Sequence, residues 1–305
     1  MSGESILENG TRDVLNKSPR DRLSWIQREH WVNTRASNVA FQWMEYLLRS
    51  ERTERPECLH ITGDSGRGKT ALLRNFSELH PVFDSGDPLR KKRPVLRVVA
   101  KPEDRSGAVA TGAASLRYMI MRAAWPDARH LTNHCSVEEC DETLKVQGVR
   151  LLLIDEGGEL SIAGRSAQMK TLSEVRGISS RLSINIAFAT VEKYEHVFDM
   201  DDQLSKRFKR KIRLPLWEES QDFRNFLSGL EAYLPFPERS HLDRQEMVKW
   251  LLLYGEGNTD AVVTLVRLAA MWAISREANF VSMNDFEMAR EASLPPPIAI
   301  RDAAA

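Results

Sequence analysis

Gly63-Asp64-Ser65-Gly66-Arg67-Gly68-Lys69-Thr70 satisfies the pattern GxxxxGK[ST] at every fixed position. Cys58-Leu59-His60-Ile61-Thr62 before it reads as a short buried strand. Ala71-Leu72-Leu73-Arg74-Asn75-Phe76 after it reads as a helix with an apolar stripe. A strand, a glycine turn and a helix N-terminus in that order make a phosphate cradle. The glycines let backbone N–H groups turn inward, and the helix dipole adds partial positive charge at the same point. In such a loop the Lys69 ammonium reaches the β- and γ-phosphates, and the Thr70 hydroxyl ligates Mg²⁺. ATP and Mg²⁺ are therefore the expected cofactors, with Gly63 to Thr70 as the binding loop.

Working outward, the 305-residue chain is long enough for a core domain plus a smaller one. Its composition, 42% hydrophobic and 28% charged, is that of an ordinary globular protein. With 43 basic and 43 acidic side chains the formal net charge is zero, so any nucleic-acid surface must be a local patch. No apolar run reaches the roughly 18 residues of a membrane span. Met1 to Arg20 is polar and has no apolar h-region, so no secretory leader and a cytoplasmic location are expected. The three cysteines, Cys58, Cys135 and Cys140, are too few for a disulfide framework. Cys135 and Cys140 lie near His130 and His134, but the spacing matches no common zinc pattern, and reduced thiols are expected.

The segment up to about residue 22 is polar and reads as a mobile terminus. From Leu23 to Ser50 apolar residues recur at helical spacing, as two helices divided near Asn33-Thr34. After the P-loop helix, Val95–Ala100, Val149–Ile154, Ile184–Ala189 and Lys211–Leu214 read as strands. Helices are expected between them at Ala113–Trp125, Ser136–Gln147 and Gln168–Arg181, the second capped by Ser136 with Glu139 three residues on. That alternation predicts an α/β fold with a mostly parallel sheet and crossover helices. From Glu218 onward the pattern is helical, at about 218–232, 243–254, 259–276 and 284–292. Asn258-Thr259 supplies a cap, and Pro295-Pro296-Pro297 opens a short tail. The expected division is an N-terminal helical extension over 1–55, an ATPase core over 56–216, a helical lid over 217–292 and a flexible tail over 293–305.

A P-loop binds phosphates; hydrolysis also needs a metal carboxylate and a means of orienting water. The apolar strand Val149–Ile154 ends in Asp155-Glu156. An acid there sits at the carboxyl edge of the sheet, beside the P-loop. Asp155 is the expected Mg²⁺ carboxylate together with Thr70, and Glu156 the residue that activates water. Thr190, at the end of the next strand, is placed to touch the γ-phosphate or the water. Gln203-Leu204-Ser205-Lys206-Arg207-Phe208 leads into the basic stretch Lys209-Arg210-Lys211, and Arg207 is the candidate arginine finger acting on a neighbouring subunit's ATP.

Together, Gly63–Thr70, Leu151–Glu156, Ala189-Thr190 and Asp201-Asp202-Gln203-Leu204-Ser205-Lys206-Arg207-Phe208, followed by Leu214-Pro215-Leu216-Trp217, resemble the TniB group of transposition proteins, which belong with the TnsC-type AAA+ ATPases. The DxQLxxRF…LPxW run carries most of the resemblance, since AAA+ proteins at large share the P-loop but not that run. The resemblance implies an AAA+ P-loop NTPase with a five-stranded parallel sheet, the P-loop strand near the centre, and a small all-helical lid. It implies Arg207 as finger and Thr190 as sensor. The function it implies is an ATP-dependent regulator that oligomerises as a ring or filament on double-stranded DNA. Such a regulator links a TniQ-like target selector to a DDE-type transposase, in a bacterial cytoplasm and at the nucleoid when on DNA. Two departures stand out. Gly157-Gly158-Glu159 follows Glu156 where a more helical continuation is expected. Thr259-Asp260 stands where many AAA+ proteins carry a sensor-2 arginine, with Arg267 the substitute candidate.

The resemblance further implies DNA contacts along the phosphate backbone rather than at base edges, which is consistent with zero net charge and a local basic surface. The candidates are Lys101, Arg105, Ser106 and Thr111 after the second strand, then Arg117 and Arg122; the run Arg90–Arg93 reads as a solvated loop. The alternative reading is another AAA+ class, a helicase loader or initiator-like ATPase. That class shares the P-loop and Asp155-Glu156 but would not call for the Gln203–Phe208 and Leu214–Trp217 run. A scaffold NTPase without nucleic acid and a small-molecule kinase are further readings, and a kinase has no use for a separate four-helix domain.

Overall fold

The computed structural model describes residues 7–83, 92–100, 113–126, 135–158 and 165–291. It divides into two units, Ala36–Pro215 and a second made of residues up to Arg35 with those from Leu216 on.

The first unit holds one parallel sheet of five strands in the order β2-β3-β4-β1-β5. These are β1 (Cys58–Thr62), β2 (Val95–Val99), β3 (Leu151–Asp155), β4 (Asn185–Thr190) and β5 (Arg210–Arg213). β1, β3 and β4 are buried along their whole length, and Leu151–Ile154 of β3 accordingly reads as an unbroken apolar run. β5 is an edge strand with Arg210, Lys211 and Arg213 exposed. Charged side chains on a short edge discourage further strand pairing.

Around the sheet lie α3 (Arg35–Arg49), α4 (Lys69–Leu79), α5 (Ala113–Ala124), α6 (Val137–Val146), α7 (Arg165–Leu182) and α8 (Asp202–Arg207). Leu96, Ile154, Ile186 and Phe188 of the strands pack with Ile120, Leu144 and Ile178 of the helices in one core. The end of α3 is tied to the sheet by the Asn185 side chain, whose Nδ2 donates to Leu47 O at 2.6 Å and Ser50 Oγ at 2.9 Å. α6 starts with the expected capping box: Ser136 Oγ accepts from Glu139 N, and Glu139 Oε2 accepts from Ser136 N. Cys135 and Cys140 are buried on either side of that cap, at the two positions where an apolar pair staples a helix start. Burial pushes the Cys140 thiol up to about 12. Among the described residues no group of three or more His, Cys, Asp or Glu converges on a point; His130 and His134 lie outside them.

The second unit is helical: α1 (Asn9–Leu15), α2 (Pro19–Gln27), α9 (Gln221–Glu231), α10 (Gln245–Gly255), α11 (Thr259–Ser275) and α12 (Met283–Glu291). The segment read as a mobile terminus, up to about residue 22, contains α1 and the first turn of α2, whose remainder falls in the stretch read as helical. α2 opens with Ser18 as N-cap, accepting from Asp21 N, and Pro19 at the first helical position. Its Leu23 and Ile26 share a core with Phe223, Leu227, Leu251 and Val266. Trp25 Nε1 donates to Tyr233 O at 3.0 Å, and Arg22 Nε and Nη2 donate to Pro235 O at 2.9 and 2.6 Å. The division within the expected 1–55 extension therefore falls at Arg35: α1 and α2 group with the C-terminal helices and α3 with the sheet.

Candidate nucleotide-binding site

The loop after β1 turns through Gly66 (φ 75°) and Gly68 (φ 86°), both left-handed. Gly68 is the N-cap of α4 and carries no side-chain cap, and a Cβ built on it would meet nothing within 4 Å. The first-turn N–H groups of α4 are thus left to an external acceptor, and no acidic side chain lies in that turn to compete. Lys69 Nζ donates to Gly63 O at 2.6 Å and Asp64 O at 2.8 Å. Burial lowers its pKa from the usual lysine value, while Asp155 and Asp64 act in the opposite direction.

Thr70 Oγ1 donates to Asp155 Oδ1 at 3.3 Å, so the first turn of α4 meets the end of β3 across the end of β4. Asp155 is fully buried. Its Oδ1 also accepts from Glu156 N at 3.0 Å, and its Oδ2 accepts from Arg97 Nη2 at 2.8 Å. Arg97 was not among the residues singled out from sequence. Its signal was a lone charge in the apolar run Val95-Leu96-Arg97-Val98-Val99, and the β2–β3 register carries it to Asp155. Glu156 leaves the strand in a left-handed conformation, φ 54°. The donor set fits a nucleoside triphosphate with a hard cation: N–H groups and an ammonium for phosphate oxygens, a hydroxyl and a carboxylate for Mg²⁺.

Arg67, expected as part of the phosphate cradle, is turned into the protein. Its buried guanidinium donates to Leu214 O at 3.2 Å and Asp64 Oδ2 at 3.0 Å, and lies 3.8 Å from Glu192. Glu192 in turn holds Arg213 through two bonds of 2.6 and 2.9 Å, and that pairing draws its carboxyl below the usual range. Arg67 thereby ties the loop to the end of β5. Thr190 shares a 2.8 Å hydrogen bond with His60 Nε2. Strand alternation puts it on the face of Phe188, whereas Asp155 faces the other way, because Ile154 is the register partner of Phe188. Burial pushes His60 down to about 3, so the ring is neutral at any working pH.

Arg207 ends α8, with Nη1 on Ser179 Oγ at 3.0 Å and Nη2 on Ser180 Oγ at 2.9 Å. The run around it has local reasons. Asp201 caps α8 through Gln203 N and Leu204 N, Leu204 is buried, and Phe208 stacks on Phe198 at 3.8 Å. Trp217 donates to Thr259 Oγ1 at 3.0 Å within the helical unit. Lys101, Arg105, Ser106 and Thr111 lie outside the described residues, as do Arg90 and Lys91. Arg117 is committed to Glu174 Oε2 (2.9 Å) and Cys135 O (3.0 Å), and Arg93 to Ala123 O (2.7 Å). Arg267 donates to Arg28 O at 2.8 Å.

A P-loop on the second strand from one edge of a five-stranded parallel sheet, with an acid pair closing β3, in a chain that also holds a helical unit, defines the AAA+ P-loop NTPase fold. Solved structures share it. The chain is similar to the ORC1 protein of Aeropyrum pernix in complex with DNA, at 16% identity and TM-score 0.57, covering 88% of this chain and 68% of that one. It is also similar to Drosophila ORC bound to DNA, at 14% identity and TM-score 0.52, covering 95% of this chain and 68% of that one. No curated protein matches. The family model described as bacterial TniB protein matches residues 22–219, and the chain belongs to the TniB family. Among the described residues no helix is long and apolar enough to cross a membrane.

Proposed function

We propose that this protein is an ATP-regulated DNA adaptor of transposition. It assembles as a ring or filament on duplex DNA in the presence of ATP and Mg²⁺. It links a TniQ-like target selector to the transposase, and slow hydrolysis serves disassembly. The observation that carries the reading is the Thr70–Asp155 bond beside the P-loop Lys69, whose charge Asp155 supports, with Glu156 next in line, in a chain of the TniB family. Two structures of the same fold have DNA bound, which favours DNA as the polymer by analogy of fold.

Backbone N–H groups from Gly63 to Thr70 and the Lys69 ammonium hold the phosphates. Thr70 and Asp155 would hold Mg²⁺, which when bound would supply positive charge against the phosphate oxygens. Arg97, sharing Asp155 with that position, fixes the carboxylate's orientation. Glu156 orients and activates the attacking water. Thr190 reports on the γ-phosphate only by giving up its bond to His60. Lys101, Arg105 and Thr111 contact the DNA backbone.

The test is to mix the full chain with duplex DNA and ATP, ADP or a non-hydrolysable analogue, and to image it by negative stain. Nucleotide-dependent rings or filaments on DNA are expected; absence of DNA binding in every nucleotide state overturns the reading. The cross-subunit role of Arg207 has its own check. Arg207→Ala is expected to lower the hydrolysis rate of the assembled protein by about 1,000-fold, at the low end for arginine fingers. It should leave ATP affinity of the unassembled chain unchanged in an equilibrium titration, and an unchanged rate in the assembly removes the finger.

A further inference from the structure

Gly157 and Gly158 follow Glu156 directly. A Cβ at Gly157 would lie 2.0 Å from Phe188 Cε1 and 2.4 Å from Cζ; one at Gly158 would lie 2.4 Å from Tyr194 Cδ2 and 2.6 Å from Cε2. Two aromatic rings therefore rest against bare backbone. Neither glycine has a positive φ, so space and not conformational freedom excludes a side chain. The Phe188 wall is fixed: it is 2% exposed and edge-on to Phe198 at 5.1 Å. Tyr194 belongs to the 3₁₀ turn Glu192–Tyr194, whose Glu192 is held by Arg213 and whose Tyr194 N–H donates to Val191 O at 3.0 Å.

The residue these rings adjoin is the strained one. Glu156 at φ 54° is non-glycine in the left-handed region, a conformation that costs about 1–3 kcal/mol and persists only where its surroundings dictate it. One constraint is visible on its N-terminal side, the bond from Glu156 N to Asp155 Oδ1. The rings on Gly157 and Gly158 supply the constraint on its C-terminal side. We infer that Phe188 and Tyr194 are positioning residues for Glu156: by packing on Gly157-Gly158 they hold its backbone in the left-handed turn and so aim its carboxylate. This deepens the reading of Glu156 as the water-orienting residue and rests on it. It also gives a reason for the departure at Gly157-Gly158.

The full chain is tested as Gly157→Ala, as Gly157→Ala with Phe188→Leu, and as Tyr194→Ala, each by its affinity for Mg·ADP and for Mg·ADP with aluminium fluoride, a mimic of the phosphoryl group in transfer. Gly157→Ala is expected to leave Mg·ADP affinity within about twofold and to weaken the aluminium fluoride complex by about tenfold, because orientation of the water side matters only there. Hydrolysis should fall by a similar factor in kcat with KM held. Phe188→Leu in the Gly157→Ala background is expected to return most of the lost discrimination by making room. Tyr194→Ala, which introduces no clash, should lose discrimination by about threefold to tenfold on the same physical basis, whether or not Gly157→Ala folds. A Tyr194→Ala protein that discriminates as well as the wild type overturns the inference, and so does a double variant with no recovery. A wild-type protein that binds both complexes equally overturns the Glu156 reading as well, which separates the two failures.

Discussion

Lys69→Ala is expected to abolish ATP-dependent assembly on DNA. Of the loop's two positive side chains the ammonium is the one left for the phosphates, since Arg67 is spent on Leu214 O and Asp64. It is partly buried and already holds Gly63 O and Asp64 O, so its removal takes away both a phosphate ligand and the strut that shapes the loop. Loss of charge-assisted hydrogen bonds of this kind costs about 3 kcal/mol, on the order of 100-fold in ATP affinity. The fold should survive, because the alanine stands at the first position of α4 and the core beneath is made by Leu72, Leu73 and Phe76. The check is titration with a fluorescent ATP analogue beside negative-stain imaging on DNA. Wild-type filaments from Lys69→Ala would remove the loop from control of assembly.

Which parts of this were legible follows from how far apart the interacting residues lie. β1, β3 and β4 are buried on both faces and mostly apolar, so they stand out locally, and the acid pair at the end of β3 marks its carboxyl edge. The capping box of α6 and the Asn258 cap of α11 were legible because a cap is decided within four residues. The same local signal, Ser18-Pro19 with Asp21, was present at α2, but the polarity of the first 22 residues outweighed it. What stabilises α2 is an apolar stripe whose partners, Phe223 to Val266, lie some two hundred residues away. The inward turn of Arg67 was illegible for the same reason: the motif fixes its position in the loop, while its acceptor, Leu214 O, is 147 residues downstream. Arg97 lay between these cases. A charge in an apolar strand was visible, but only the pairing of Val99 with Asp155 shows which group it meets. Thr190 shows the limit of reading strand ends: its position beside the loop was clear, yet the parity that sends its hydroxyl to His60 depends on the register of β4 against β3 and β1.

Glu156→Gln is expected to act in the opposite direction to Lys69→Ala and to stabilise the assembly. Glutamine keeps the shape of the side chain, tolerates the same left-handed backbone, and leaves the Glu156 N–H to Asp155 Oδ1 bond untouched. Only the charge is lost. Asp155 and Asp64, the larger supports of the Lys69 ammonium, remain, so ATP should bind much as before. Removing a general base costs about 100- to 10,000-fold in rate, so hydrolysis should fall by at least the lower figure. If hydrolysis drives release from DNA, the ATP-bound filament then has no exit, and its lifetime after dilution into ATP should lengthen in step with the fall in rate. Light scattering or single-filament imaging gives that lifetime, and phosphate release gives the rate on the same sample. A variant that no longer hydrolyses ATP but leaves DNA as fast as the wild type would separate disassembly from hydrolysis. The Asp155-Glu156 pair would then serve hydrolysis without setting the moment of release from DNA.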